Sequence, residues 1–413
     1  MPDRQVDHLL IGGGLASANC AEGLREGGAD GSVMIVGREL DPPYDRPPCS
    51  KGYLQGKQSR DETLLHPDDW YQSQKVEVLT ATTVTGLDLS ERVATLSDHR
   101  EVGFGQALIA TGSGVRRITV PGSELEGIHY LRTIRNSDAI RSDAAGKRVV
   151  LIGGSYIASE VAASLTELGC ECTMVMIEEF VLSRGFGKQA GRFFQSALED
   201  HGITVHGGDS LARFEGTGGR VSRVVTESGL ELDADAVVIG IGAVPDLTLA
   251  RATGLTIGDG GGVRVDSRLQ TPVDGVYVAG DIAEYDSVVH GGRAMRIEHW
   301  DVAFNQGRTV AKNMLGRDVP HDVVPYFFSD LSDWAWLEYV GPALDWDREV
   351  VRGSLEEGEF SIFYLAENRV VAALAVGRSD DLDHARRLLT DAVPLDDAGI
   401  AALGDLSSDL AGV

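Results

Sequence analysis

Two glycine turns constrain this chain more than any other feature. The strand VDHLLI (Val6 to Ile11) runs into Gly12-Gly13-Gly14 and an Ala-rich helical stretch, and a second strand, SVMIV (Ser32 to Val36), follows. That order is a βαβ unit. The pattern recurs where KRVVLI (Lys147 to Ile152) meets Gly153-Gly154-Ser155, a helix from about Ile157 to Leu168, and the strand ECTMVMI. A pyrophosphate resting on a helix N-terminus needs backbone it can approach closely. Glycine is therefore required at the tight turn (Gly12) and at the contact (Gly14), while Ser17 is small enough for the helix to pack on the strand. Leu15 and Ala16 open that helix. Beyond the second strand Arg38 and Glu39 are candidates for the ribose, and Glu39 is preferred because a carboxylate suits two hydroxyls.

The predicted fold class is α/β, with two Rossmann-like dinucleotide-binding domains plus a C-terminal α+β domain. At 413 residues the chain exceeds one ordinary core. The two nucleotide folds are not simply consecutive, because VTGLDLSERVATL and FGQALIATG lie between them and ADAVVIGIGAVPD and DGVYVAGD follow the second. The expected division is 1–113 (first domain, first part), 114–241 (second domain), 242–319 (first domain, second part), 320–395 (α+β) and 396–413, an acidic tail expected to fray. In the α+β region YFFS, AWLEYVG, FSIFYLA and RVVAALAVG read as strands, and a helix is expected near Asp383 to Leu389.

With 63 acidic against 37 basic side chains, the net charge of −26 repels phosphate backbones and anionic membranes, so nucleic acid and membrane are excluded as partners. No apolar run is long enough to span a bilayer and the N-terminus enters a strand at once, so a cytoplasmic protein is expected. Cys20, Cys49, Cys170 and Cys172 show neither zinc-site nor CxxC spacing; no metal is expected, and Cys170 and Cys172 read as core on one strand face.

The segment Pro43-Tyr44-Asp45-Arg46-Pro47-Pro48-Cys49-Ser50-Lys51 resembles the PYxRPPLSK segment of the NADH-dependent ferredoxin reductases that serve oxygenases and cytochromes P450; monodehydroascorbate reductase and apoptosis-inducing factor have similar segments. Ala110-Thr111-Gly112, the run Gly240 to Asp246, Thr271 to Asp281 (TPVDGVYVAGD) and Arg296-Ile297-Glu298-His299-Trp300 resemble further motifs of that family in the same order. The resemblance implies FAD on the first glycine turn, with Asp281 on its ribityl chain, Trp300 packed near the flavin, and Arg46, Lys51, Val84, Ala110, Thr111, Gly112, Arg132 and Glu298 among its contacts. It places Lys51 at the reactive ring edge, paired with Glu160 beside the nicotinamide, as the two catalytic residues.

The second turn departs from the family's GGGxIGxE by Ser155 and Ala158, both small, and Ser155 can offer a hydroxyl to the pyrophosphate. Gly153, Ser155, Tyr156, Ile157 and Gly242 are the expected nicotinamide-nucleotide contacts. Glu178 and Glu179 follow Ile177 and disfavour a 2′-phosphate, with Glu178 as the ribose contact, so NADH is preferred over NADPH. The resemblance implies a ferredoxin-like acceptor, sometimes rubredoxin, and a monomer or homodimer. Against an acidic ferredoxin stand Glu356, Glu357, Glu359, Asp380, Asp381 and Asp383, with Arg293, Arg308, Lys312 and Arg317 as a possible basic rim. The family's FWSDQ is altered to Phe327-Phe328-Ser329-Asp330-Leu331. Cys49 stands where the family has Leu, and an alternative is an NADH-dependent reductase of a small molecule (peroxide, oxygen or a monodehydroascorbate-like radical) that uses the flavin with or without Cys49.

Overall fold

In the computed structural model, residues 2–342 and 345–413 are described, and they divide into two units. The first joins the stretch up to Asp45 to Leu64–Gly114 and Val244–Phe327; the second joins Arg46–Thr63, Val115–Ala243 and Phe328–Val413. The Pro-rich loop therefore folds with the second unit although the sequence inserts it inside the first.

The first unit is built on a 7-stranded sheet. Val76–Leu79, Val33–Val36, Arg4–Ile11, Glu101–Ile109 and Val276–Val278 pair in parallel. The hairpin Val84–Asp88 and Val93–Leu96 adds antiparallel strands along the start of Glu101–Ile109. Strands covered on both faces read as continuous apolar runs, and Leu9, Leu10, Ile35, Ala107, Leu108 and Ile109 are all fully buried. The helices Leu15–Glu26 and Trp300–Met314 cross at near backbone contact: a Cβ on Gly307 would lie 2.3 Å from the Ala16 carbonyl oxygen, and one on Gly23 2.8 Å from the Ala311 Cβ. Glycine at these two positions sets the depth at which the helix Trp300–Met314 packs onto Leu15–Glu26.

In the second unit Thr204–His206, Glu171–Val175, Arg148–Ile152, Ala236–Ile239 and Ile128–Tyr130 form a five-stranded parallel sheet in that order. Val150, Ile152, Val175, Val237 and Ile239 share a core with Phe214, Val221 and Val224 of a three-stranded meander. The C-terminal part is an antiparallel sheet in the order Tyr326–Leu331, Ala335–Val340, Arg369–Val376, Glu359–Ala366, Arg348–Ser354. Glu359–Ala366 is buried on both faces because each is covered. Phe360 meets Phe193 of the helix Ser183–Asp200 edge to face at 5.0 Å, while the neighbouring Ser361 donates to Asp381 of the helix Ser379–Asp391.

Several elements go beyond the sequence reading. The strand Arg348–Ser354 and the helical stretch Ser183–Asp200, kinked at Gly187 (φ +79°), are among those that form where no element was expected. The acidic tail does not fray: it forms the helix Asp397–Gly404, capped by the Asp396 side chain, and buries Leu403 and Leu410. The buried Arg352 guanidinium donates to the backbone carbonyls of Asp405 and Ser408, so charge-assisted hydrogen bonds hold the tail where composition alone predicts repulsion. Asp381 is likewise internal, bound by Arg378 at 2.7 Å, and is not part of an acidic surface. No helix among the described residues is long and apolar enough to cross a membrane.

Candidate functional site

The first glycine turn is set by one close approach and one open space. Gly12 has φ +120°, and a Cβ there would stand 2.1 Å from the Ala110 carbonyl oxygen, so only glycine lets Arg4–Ile11 turn beside the end of its parallel neighbour. Gly14 caps the helix Leu15–Glu26 with no side-chain bond, no acidic residue lies in the first turn, and a Cβ on Gly14 would have nothing within 4 Å. Backbone N–H groups and an unneutralised helix dipole thus face open space. This is an anion cradle, and a dinucleotide pyrophosphate fits it. Leu15 and Ala16 lie in the first turn behind it.

The flanking residues of the same unit are ordered by specific bonds. Glu39 accepts from the Tyr44 hydroxyl at 2.5 Å, and Arg38 pairs with Asp246 at 2.7 Å. Thr111 donates to the Asp246 carbonyl at 2.7 Å, and Gly112, at φ +67°, accepts from the Asp246 N–H. Val84 is buried where its strand begins. Gly280 turns at φ +75°, its N–H held by Gln306 at 2.8 Å, and carries Asp281 into a short 3₁₀ turn; the Asp281 carbonyl accepts from Arg296, which also pairs with Glu298. Trp300 donates to Asp45 at 2.5 Å and stacks on Phe304. Burial pushes the neighbouring His299 down to about 4, against the opposing pull of Asp281, so the imidazole is neutral at pH 7.

The second turn repeats the first with one change. Gly153, at φ +117°, would place a Cβ 2.3 Å from the Gly240 carbonyl oxygen, the counterpart of Gly12 and Ala110. Ser155 stands where Gly14 does, and its hydroxyl donates to that same Gly240 carbonyl at 2.8 Å. The Ser155 hydroxyl proton, expected for the pyrophosphate, is thus directed at the carbonyl that ends the neighbouring strand. Gly242 has φ +105° and open space beside it. Tyr156 starts the helix near Phe186, with its hydroxyl raised to about 12 by burial, and Ile157 follows, 38% exposed. Glu179 is tied to Lys188 at 2.6 Å, whereas the Glu178 carboxylate has no partner among the described residues.

Within the second unit the structure gathers a buried polar cluster. Lys51 Nζ stands 2.5 Å from Asp330 Oδ2 and 3.2 Å from Glu160 Oε1, with the Phe328 ring 5.5 Å away. Ser50 donates to one oxygen of Glu160 and Ser329 to the other, each at 2.6 Å. Ser164 donates to the Ser50 carbonyl at 2.6 Å. Glu160 is 5% exposed, and a carboxylate so desolvated needs these three donors to be tolerated. Arg46 donates to the Arg132 carbonyl at 2.8 Å, at the Thr133/Asn136 capping box of the helix Ile134–Ala144. Sequence reading missed Ser50, Ser164, Ser329 and Asp330 as members of the site. Ser50 and Asp330 lie inside segments the sequence had already singled out; Ser164, four residues after Glu160 on the same helix face, carried a signal only of spacing. Of the proposed basic rim, Arg308 is consumed by Glu22 and Glu26. Cys49 is 2% exposed, so a thiol open to peroxide finds no support.

Two dinucleotide folds, one turn completed by an Asp281 segment and the other by a buried lysine–carboxylate cluster, define a flavin- and nicotinamide-dependent oxidoreductase. The chain belongs to the pyridine nucleotide-disulphide oxidoreductase family, whose pattern matches residues 6–307, and a reductase C-terminal pattern matches 326–412. It is 34% identical over 395 residues, 94% of each chain, to the 5,5′-dehydrodivanillate O-demethylase ferredoxin reductase subunit of a Sphingobium species. It is 32% identical to putidaredoxin reductase of Pseudomonas putida, covering 94% of this chain and 92% of that one. Among solved structures, the ferredoxin reductase of the CYP199A2 system from Rhodopseudomonas palustris superposes with a TM-score of 0.92 at 30% identity, covering 98% and 99% of the chains. The covalent putidaredoxin reductase–putidaredoxin complex gives 0.91 at 32% identity, covering 100% and 98%.

Proposed function

We propose that this reductase takes hydride from NADH through FAD and delivers electrons one at a time to a small iron–sulfur protein of the ferredoxin kind, as a component of an oxygenase or P450 system in the cytoplasm. The observation that carries the reading is the Lys51 ammonium, gripped by Glu160 and Asp330 in a cluster built on the helix that follows the second glycine turn. Bound FAD supplies a two-electron acceptor that releases electrons singly.

The chain's own residues do the rest. Gly12, Gly14 and the N-terminus of Leu15–Glu26 hold the FAD pyrophosphate, Glu39 its ribose and Asp281 its ribityl chain, with Ala110, Thr111, Gly112, Val84, Glu298, Trp300, Arg46 and Arg132 as further contacts. Gly153, Ser155, Tyr156, Ile157 and Gly242 receive the nicotinamide dinucleotide, and Glu178 selects the 2′-hydroxyl. Lys51 is a fixed cation for the negative charge that reduction creates, and Glu160 orients it. All four cysteines are free and buried, so none of them is placed as an exposed redox relay for the electrons. The relatives named as ferredoxin reductases, and the complex with putidaredoxin, support an iron–sulfur acceptor.

Anaerobic stopped-flow mixing tests this. Rapid bleaching of flavin absorbance by NADH, slow reoxidation by air and fast reoxidation by a [2Fe–2S] ferredoxin are expected. A kcat/KM favouring NADPH overturns the role of Glu178, and reoxidation by peroxide faster than by any ferredoxin overturns the acceptor.

A further inference from the structure

The Lys51–Glu160 pair does not stand alone, and its geometry is uneven. Lys51 is closer to Asp330 (2.5 Å) than to Glu160 (3.2 Å), and the two oxygens of Glu160 are already engaged by Ser50 and Ser329 at 2.6 Å. Ser329 and Asp330 are consecutive residues of Tyr326–Leu331, the edge strand of the C-terminal sheet. Successive strand residues point to opposite sides, so one extended segment reaches both members of the pair at once: the buried serine (3% exposed) to the carboxylate, the aspartate to the ammonium.

We propose that Asp330 and Ser329 are positioning residues of the reductase reaction: Asp330 determines where the Lys51 ammonium stands, and Ser329 determines how the Glu160 carboxylate is turned. The C-terminal region then completes the reducing site as well as offering surface to a partner. This rests on the role proposed for Lys51. With Asp330 present, two carboxylates share one cation, so the ammonium is pulled off Glu160 and its rotamer is fixed from two directions. Without Asp330 it relaxes onto Glu160, and a displacement on the scale of an ångström at a reacting centre costs about 100-fold at the extreme.

The experiment uses the FAD-loaded full chain carrying Asp330→Asn, Ser329→Ala, Lys51→Met, and Lys51→Met with Asp330→Asn. In D330N the flavin-reduction rate constant falls about tenfold while the NADH dissociation constant is unchanged, a rate-against-binding split that a loosened fold does not give. Acylation of the Lys51 amine, mapped by peptide mass spectrometry with and without FAD, becomes faster in D330N and S329A. In the Lys51→Met background D330N has no further effect on reduction, since its action runs through the ammonium. If D330N fails to fold, Asp330→Glu, which keeps the charge and moves it, is read by the same split. Unchanged reduction and unchanged Lys51 labelling in these variants, or additive losses in the double variant, overturn the proposal. Unchanged reduction in Lys51→Met alone overturns the role of Lys51 itself, a different failure.

Discussion

The two glycine turns share a backbone and differ in what fills them. Each places a glycine, at φ +120° or +117°, against the carbonyl that ends the neighbouring strand, Ala110 in the first unit and Gly240 in the second. In the first, Gly14 leaves the helix N-terminus bare; in the second, Ser155 occupies that position and locks its hydroxyl onto the Gly240 carbonyl. The first turn thus leaves its backbone open to close approach. The second adds an internal bond from Ser155 that ties the helix start to the end of the neighbouring strand. The lesson is that a glycine fingerprint encodes two separable demands, a steric one at its first position and a ligand-approach one at its third, and only the first demand is absolute in both units.

The largest effect that tests this comparison is at the steric position. Gly12→Val puts a side chain into the Ala110 carbonyl at a φ that L residues rarely adopt, and should cost more than about 4 kcal/mol and abolish flavin content. Gly153→Ala should instead leave flavin absorbance intact while eliminating reduction by NADH. If both variants lose flavin equally, the two turns are not independent and the comparison breaks. Next, Lys51→Met leaves Glu160 and Asp330 without their cation and should destabilise the second unit by about 3 kcal/mol in urea unfolding.

Acid separates the units in another way. His299 and His321, both in the first unit, are held neutral by burial with values pushed down to about 4. The unfolded chain binds these protons near 6.5 and the native fold does not, so stability present above pH 6.5 is lost as pH falls from there towards 4, by roughly 3 kcal/mol per histidine at most. FAD release during an acid titration should therefore precede loss of the far-ultraviolet signal of the second unit, and His321→Gln should flatten the dependence. A titration in which both signals fall together removes this distinction. The smallest effect is at Ser155: Ser155→Gly restores a bare helix end, loses one hydroxyl bond worth about 1 kcal/mol, and should change NADH affinity only a few-fold.

Much of this molecule was legible in the residues themselves. Glycine at positive φ, alternating or continuous apolar strands and a Pro-bracketed Arg and Lys are local requirements, so the two nucleotide folds, the cofactor turns and the pairing partners Lys51 and Glu160 could be picked out by spacing and by resemblance. Charge was the poorest guide. Asp381 and the acidic tail read as surface, yet Arg352 and Arg378 draw them inward, because a buried guanidinium satisfies several acceptors far apart in the chain. Arg308 read as a free cation, yet Glu22 and Glu26 hold it.

What the sequence by itself determined, then, is where the backbone must turn and which faces must be buried, since those follow from sterics and hydrophobicity within a few residues. What only the tertiary structure decided is the company of each polar group. Ser155 bonds a carbonyl 85 residues away, and Lys51 meets an aspartate 279 residues away. A polar side chain buried by the fold must find a partner wherever the fold brings one, and no local pattern records which residue that will be.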